Sequence, residues 1–199
     1  MPPTSGFVDD PVCAATGNFF HHEEDLAFPG RARILGFSRS YNSLASSRAG
    51  AFGSGWSCLL DMAIVPGSGE GIVVTLPDGA EIGFAPGPEG SLVPETRPHL
   101  RLHRLDDGSW ELGDGPRATW SFDAQGSLTE ARSGASHLLL EREEGQVVAL
   151  SETTTGRWVR LAWEEGRLST QTSSDGRVAA YRYRAPTWSR SPAPQITGG

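Results

Sequence analysis

Three consecutive segments constrain this chain more than any other feature: WSFDAQGSLTEARSGAS from Trp120, HLLLEREEGQVVALSETTTG from His137, and RWVRLAWEEGRLSTQTSSDG from Arg157. Each contains a turn glycine (Gly126, Gly145 and Gly166), spaced 19 and then 21 residues apart. Two positions after each comes an apolar residue: Leu128, Val147 and Leu168. A period of about 20 residues is the mark of a repeat architecture. Each unit reads as strand, glycine turn, strand, polar turn, and the later units close at Thr155-Gly156 and Asp175-Gly176. A lone hairpin cannot bury enough apolar surface in water, so neighbours must supply the second wall. The expected product is an antiparallel meander of stacked hairpins.

The spacing also assigns faces. Strand side chains alternate, so Val159, Leu161 and Trp163 share one side of the third unit. Counting back from the glycine, Leu138, Leu140 and Arg142 match them in the second. The first unit has FDAQG where the third has WEEG, which predicts a turn longer by one residue. That extra residue keeps Trp120 and Phe122 on the same side; a one-residue slip would turn every side chain over. A further unit begins as RVAAYRYR, and then the pattern stops. The final residues, PTWSRSPAPQITGG, do not alternate and hold Pro186, Pro192 and Pro194. They read as sequence outside the repeat, left by truncation or a shifted frame, with a linker as the alternative.

Strand signals fill the remainder. Ile72 to Leu76 runs through Pro77-Asp78-Gly79 into Glu81 to Phe84, a hairpin whose Asp-Gly tolerates positive φ. His99 to Leu105 alternates, with Leu100 and Leu102 opposite basic residues. Asp107-Gly108 leads into Ser109 to Leu112, and Asp114-Gly115-Pro116 into Ala118 to Phe122. No dozen residues show i, i+3, i+4 apolar spacing. The best helical candidate, Ser43 to Gly50, is short and polar. The fold class expected is all-β: an antiparallel, curled sheet of tandem hairpins with little helix.

Composition excludes several functions. The formal net charge is −7, so nucleic acid and anionic membranes are poor partners. All 17 basic side chains are arginine. The N-terminus lacks the basic start and apolar run of a signal peptide. No segment approaches the ~18 apolar residues that a membrane helix needs. A soluble chain without a membrane span is expected, exported if at all by a route not written in it. A cytoplasmic fragment is also compatible. Cys13 and Cys58 are too few to staple a fold of this size and read as small buried thiols.

Four motifs in order carry a resemblance: DPVCAATGNFF from Asp10 and Pro11 through Gly17, Asn18 and Phe19; DLAFPG; SRSYNS with Tyr41 and Asn42; and FGSGWS with Phe52, Gly53, Gly55 and Trp56. Together they resemble the opening domain of bacterial RHS (rearrangement hotspot, Tyr-Asp repeat) proteins. SFDAQGSLTE is similar to that family's hairpin, and EEGRL and DGRVAAYRY, with Gly166 and Gly176, are relaxed copies. The likeness covers roughly residues 10–184. It implies an N-terminal linker (1–9), a signature β domain (10–85), connecting hairpins (86–117), repeats (118–184) and an irregular tail (185–199). In the family, repeats spool into a hollow cocoon around a C-terminal toxin delivered to other bacteria, and the proteins are secreted or on the cell surface. The partners implied are further repeats, the toxin domain and secretion-system components. This chain would be one structural segment of such a shell, with no catalytic activity and no cofactor.

His21, His22, Glu23, Glu24 and Asp25 offer metal-ligand types, but strand alternation splits them between two faces. They read instead as a solvated strand edge whose Phe19, Leu26 and Phe28 reach the core. Gly53-Ser54-Gly55-Trp56-Ser57 has no serine flanked by glycine at −2 and +2, as a nucleophile elbow needs. Glu143-Glu144 and Glu164-Glu165 are paired carboxylates at repeated turn positions, so they read as solvent-facing. Trp110, Trp120, Trp158 and Trp163 carry the alternative function, an adhesion or carbohydrate-binding module with rings lining a groove, although core packing explains rings first.

Overall fold

The computed structural model describes residues 12–13, 18–45 and 48–183. Antiparallel strands dominate, and the longest helical segment among the described residues is the six-residue 3-10 stretch Gly30–Leu35. The first sheet holds β1 (Val12–Cys13), β2 (Asn18–Leu26), β3 (Phe37–Asn42) and β6 (Trp56–Cys58), in that order. Between β3 and β6, β4 (Ala49–Gly50) and β5 (Gly53–Ser54) form a small ribbon. The second sheet contains β7 (Ala63–Pro66), β8 (Ile72–Thr75), β9 (Glu81–Pro86) and β10 (Leu92–Pro94) as a meander. The helical candidate at Ser43 yields only a 3-10 turn, Ser43–Ala45, before β4 begins.

The third sheet is the repeat region. Its nine strands are β11 (Leu100–Arg104), β12 (Trp110–Asp114), β13 (Ala118–Phe122), β14 (Leu128–Ser133), β15 (Ser136–Glu143), β16 (Gln146–Glu152), β17 (Arg157–Glu164), β18 (Arg167–Ser173) and β19 (Val178–Ala180). They lie side by side in chain order. The sheet therefore begins before the repeats legible in the sequence.

Alternation gives this sheet an apolar and a polar face. Arg101, His103, Glu111, Arg132, Glu141 and Arg160 are exposed on the polar one. The apolar face is covered along its length by the chain's first half. Leu26, Phe28, Ala32, Leu35, Phe37 and Phe52 form one core with Leu138, Val147, Leu150, Val159, Leu161 and Leu168. Met62, Ile64, Val74, Ile82 and Phe84 form another with Leu100, Leu102, Leu112, Phe122 and Leu128. Each such side chain contributes about 2 kcal/mol by leaving water, which is why the two halves stay together.

The repeat has a finer rule than its glycine. In all three hairpins the strand after the turn carries one extra residue, at glycine plus three. Phe122 faces Leu128 while Ser121 faces Glu130, leaving out Thr129. Arg142 faces Val147 while Glu141 faces Ala149, leaving out Val148. Trp163 faces Leu168 while Ala162 faces Thr170, leaving out Ser169. These are β-bulges, held at the same phase in each unit. Thr129 Oγ1 donates to the Ser121 carbonyl (3.0 Å) and Ser169 Oγ to the Ala162 carbonyl (3.1 Å), so the hydroxyl satisfies an acceptor beside the bulge.

Turn lengths follow the sequence. The first unit has a three-residue loop: Asp123 N donates to Ser127 O (2.9 Å) and Gly126 N to Asp123 O (3.0 Å). The later two have two-residue loops with positive φ at both positions, Glu144 and Gly145, then Glu165 and Gly166. That is the twist-matched hairpin turn, although glutamate is a strained choice for its first position. Glu143, Glu144, Glu164 and Glu165 are all exposed, as the turn reading expects.

The polar turn after the second unit is organised by Glu152, whose side chain is inaccessible to solvent. Its carboxylate accepts from Thr155 N (2.7 Å), Thr155 Oγ1 (2.6 Å) and Thr154 N (3.1 Å). Burial works to raise its pKa, but those hydrogen bonds win and hold it at about 2 against an ordinary 4.5. The stabilisation is present above pH ~4.5 and fades as pH falls towards 2. Glu152→Gln is expected to lose about 2 kcal/mol at pH 7 and much less near pH 2.5. Urea midpoints of both proteins at the two pH values check this; an equal gap at both would refute it.

Candidate assembly interface

His22 and Glu24 of β2 are exposed, as expected, but the strand is not an edge and His21, Glu23 and Asp25 lie on its other face. β2 lies inside its sheet, between β1 and β3, and its inward register brings His21 opposite Tyr41 and Glu23 opposite Arg39. Arg39 is the hub. Its Nε donates to Asp25 Oδ2 (3.0 Å), and Nη2 pairs with Glu23. His21 Nε2 lies 3.1 Å from Glu23 Oε1. The guanidinium carbon sits 4.4 Å from the Trp56 ring centroid, 5.2 Å from Phe52 and 5.4 Å from Tyr181. One cation thus joins two carboxylates and three aromatic faces. Among the described residues no three His, Cys, Asp or Glu side chains converge as metal ligands would.

The sequence motifs meet around this hub. Asn18 Oδ1 accepts from Ser43 Oγ (3.0 Å), which in turn accepts from Phe19 N (3.0 Å). Asn42 N donates to Gly55 O (2.8 Å). Tyr41 and Trp56 rings lie 5.4 Å apart. Gly55 has φ +76, and a Cβ there would lie 2.8 Å from the Tyr41 ring, so this position admits glycine alone. Phe19 corrects the expectation: it shares the face of His21 and Glu23 but does not reach the core, lying at the start of β2, 36 % exposed, against His21 and Tyr41. Leu26 and Phe28 are buried as expected. Asp10, Pro11 and Gly17 lie outside the described residues.

Beneath the FGSGW turn, Asp61 accepts from Ala51 N (2.7 Å) and Cys58 N (2.8 Å). Burial raises its pKa against the pull of those N–H groups. Cys58 is a free, buried thiol, pushed up by burial and then by the Asp61 charge. Both effects suit packing rather than nucleophilic chemistry.

This turn is also where the first sheet grips the repeats. Leu168 N donates to Ala51 O (2.8 Å), the Phe52 and Tyr181 rings meet edge to face at 4.9 Å, and Gly53 faces the Arg167 stem. Burial, followed by the Asp25 charge, raises the Tyr181 pKa far above its ordinary value. Arg177 Nη1 donates to Ala27 O (2.8 Å) and lies over the Phe28 ring. Gly126 docks the second sheet: Ile64 N donates to its carbonyl (2.9 Å), beside a bridge from Ala63 to Ser127. Gly145, Gly166 and Gly176 occupy open turns at positive φ.

Among the described residues the repeat sheet ends at β19. Gln171 and Ala179 are a hydrogen-bonded pair by alternation from Ser173 N donating to Arg177 O. The N–H and C=O groups of Val178 and Ala180 therefore point outward, and Val178 is 61 % exposed. Beside this edge a cleft of about 620 Å³ is lined by Glu164, Arg167, Tyr181 and Tyr183. The four tryptophans do not share a groove. Trp110, Trp120 and Trp163 face the core, whereas Trp158 lies opposite Ser151 on the polar face, under Arg160.

Sequence reasoning found the aromatic and glycine members of this interface but missed Arg39, Asp61, Arg177 and Tyr181. For Arg39 a signal existed, since it sits two residues before Tyr41 and so shares its face. Arg177 and Tyr181 act across more than 120 residues of sequence, where no local pattern reaches.

Residues 9–84 match a family described as a domain of unknown function, DUF6531. Over 93 residues the chain is 36% identical to the tRNA nuclease WapA of Bacillus subtilis (strain 168) and 34% identical to the tRNA3(Ser)-specific nuclease WapA of Bacillus spizizenii. The aligned stretch is 47% of this chain and 4% of each of those proteins. The likeness is therefore to a small part of much longer nucleases.

Proposed function

We propose that this chain is a structural segment of an RHS-type β shell, the kind that encloses and delivers a C-terminal toxin in competition between bacteria. The observation that carries the reading is the nine-stranded meander. Three hairpins share one glycine-and-bulge plan, and among the described residues the last strand leaves its outer edge open. Similarity to the WapA nucleases over 4% of their length supports a small part of such a longer protein. On this reading the chain has no catalytic activity of its own, and tRNA cleavage belongs to the relatives. Its partners are further repeats seated on β19 and a toxin domain behind them, in a secreted or cell-surface protein.

An open edge is a template for pairing with another strand. Concentration-dependent self-association by sedimentation is therefore expected. Val178→Pro should suppress it, because that N–H points outward and no internal bond is lost. A chain that stays monomeric at every concentration, or associates equally with the substitution, would count against the shell reading. Release of fragments from tRNA by the purified chain would refute the non-catalytic assignment.

A further inference from the structure

The three hairpins share a second bond that their sequences hide. The carbonyl at glycine plus two, just before each bulge, accepts a side-chain hydrogen bond from the hairpin that follows. Arg142 Nη2 donates to Leu128 O (2.9 Å), Trp163 Nε1 to Val147 O (2.8 Å) and Tyr183 Oη to Leu168 O (2.7 Å). The phase is constant. If the register of each seam is extended, Leu128 stands opposite Glu141, Val147 opposite Ala162 and Leu168 opposite Arg182. The donor is the next residue every time. A guanidinium, an indole and a phenol thus fill one role, and all three are half-buried.

Where these bonds occur, the paired register between hairpins has not yet begun. It starts only at glycine plus four: Glu130 with Leu139, Ala149 with Arg160, Thr170 with Ala180. In the last seam one further bond, Tyr181 N to Ser169 O (2.8 Å), stands between that register and the donor. The seam between β12 and β13 behaves otherwise. The β11–β12 hairpin has no bulge, and its glycine-plus-two residue, Trp110, pairs directly with Phe122. A bulge bends its strand and raises the local twist, which peels the glycine end of a hairpin from its neighbour. The carbonyl left at the mouth then needs a donor that the main chain opposite does not supply. Arg142 answers that need at a cost, since its Nε is buried without a partner while Nη2 reaches Leu128.

We propose that Arg142, Trp163 and Tyr183 are the specificity element of hairpin stacking: each fixes the phase in which its hairpin seats on the one before. The rule is a long donor one residue past the position opposite glycine plus two. The three donor types substitute for one another there, whereas an aliphatic side chain leaves the carbonyl unpaired. These seams lock in the same way whether or not further repeats follow β19.

Hydrogen exchange of the full chain, followed by NMR, supplies the test. The Trp163 indole N–H is expected to exchange about tenfold more slowly, or slower still, than that of Trp158 on the polar face. Tyr183→Phe removes one hydroxyl and keeps the ring. It should speed exchange of the Tyr181 amide, the nearest bond of that seam, about tenfold. The Ser173 amide, bonded to Arg177 O at the far end, should not change. Trp163→Leu should melt about 6 °C lower than the native chain, and Trp163→Arg should recover about half of that loss. Circular dichroism verifies the fold of each variant. A Trp163 indole that exchanges as fast as that of Trp158 overturns the proposal. So does an unchanged Tyr181 amide in Tyr183→Phe, faster exchange spread evenly to Ser173, or a Trp163→Arg variant that melts no higher than Trp163→Leu.

Discussion

Gly126→Ala lowers stability by about 4 kcal/mol or more, while Gly145→Ala costs only about 1 kcal/mol. The two glycines have the same φ, +85, so the backbone strain of placing alanine there is the same. Their surroundings differ. A Cβ on Gly145 meets nothing within 4 Å, whereas one on Gly126 would lie 2.0 Å from the Ile64 carbonyl oxygen and 2.9 Å from its carbon. Backbone cannot yield as a side-chain tip can. The Ile64 N to Gly126 O bond and the Ala63–Ser127 bridge must open, lifting the second sheet from the third. Buried groups such as Met62, Ile64 and Phe122 then lose their packing. At about 2–4 °C per kcal/mol for a chain of this size, thermal melts should separate the variants by about 10 °C. Equal losses would mean that only the turn conformation matters.

Arg39→Met is expected to cost about 3 kcal/mol, and Arg39→Lys roughly half of that. Methionine fills the space between Trp56, Phe52 and Tyr181 but leaves Asp25 with a side chain only 12% exposed and no cation beside it. An unpaired carboxylate at such a site loses its water without compensation. Lysine restores the charge but not the fork that engages Asp25 and Glu23 together. A double-mutant cycle with Asp25→Asn should give a coupling of about 1–3 kcal/mol. Denaturant melts supply the four free energies. A coupling near zero would reduce Arg39 to a packing residue.

How much of this was legible in the sequence depends on range. The glycine spacing of the hairpins, the longer first turn and the shared face of Val159, Leu161 and Trp163 were readable, because turn chemistry and strand alternation are local. The bulge at Thr129, Val148 and Ser169 was not, although the hydroxyls of Thr129 and Ser169 mark it in retrospect. The repeats read alone give the sheet an apolar face with nothing assigned to cover it. The first half of the chain covers it; strand alternation tells which side is apolar but not what lies against it. The acids of β2 look solvated when read alone. Arg39, in another strand, gathers Glu23 and Asp25 on one face while Glu24 stays exposed, and Phe19, on the face of Glu23, stops short of the core.

The bond from Arg177 to Ala27 has a temporal consequence. A ribosome releases the N-terminal end first, and the groups that seal Leu26, Phe28, Leu35 and Phe37 arrive only with Leu138 through Tyr181. At ~5–20 residues per second, that greasy patch waits roughly 10–30 s during synthesis. Contacts so distant along the chain also make closure slow. Nascent polypeptide of this kind would be a natural client for chaperones until its last hairpins emerge.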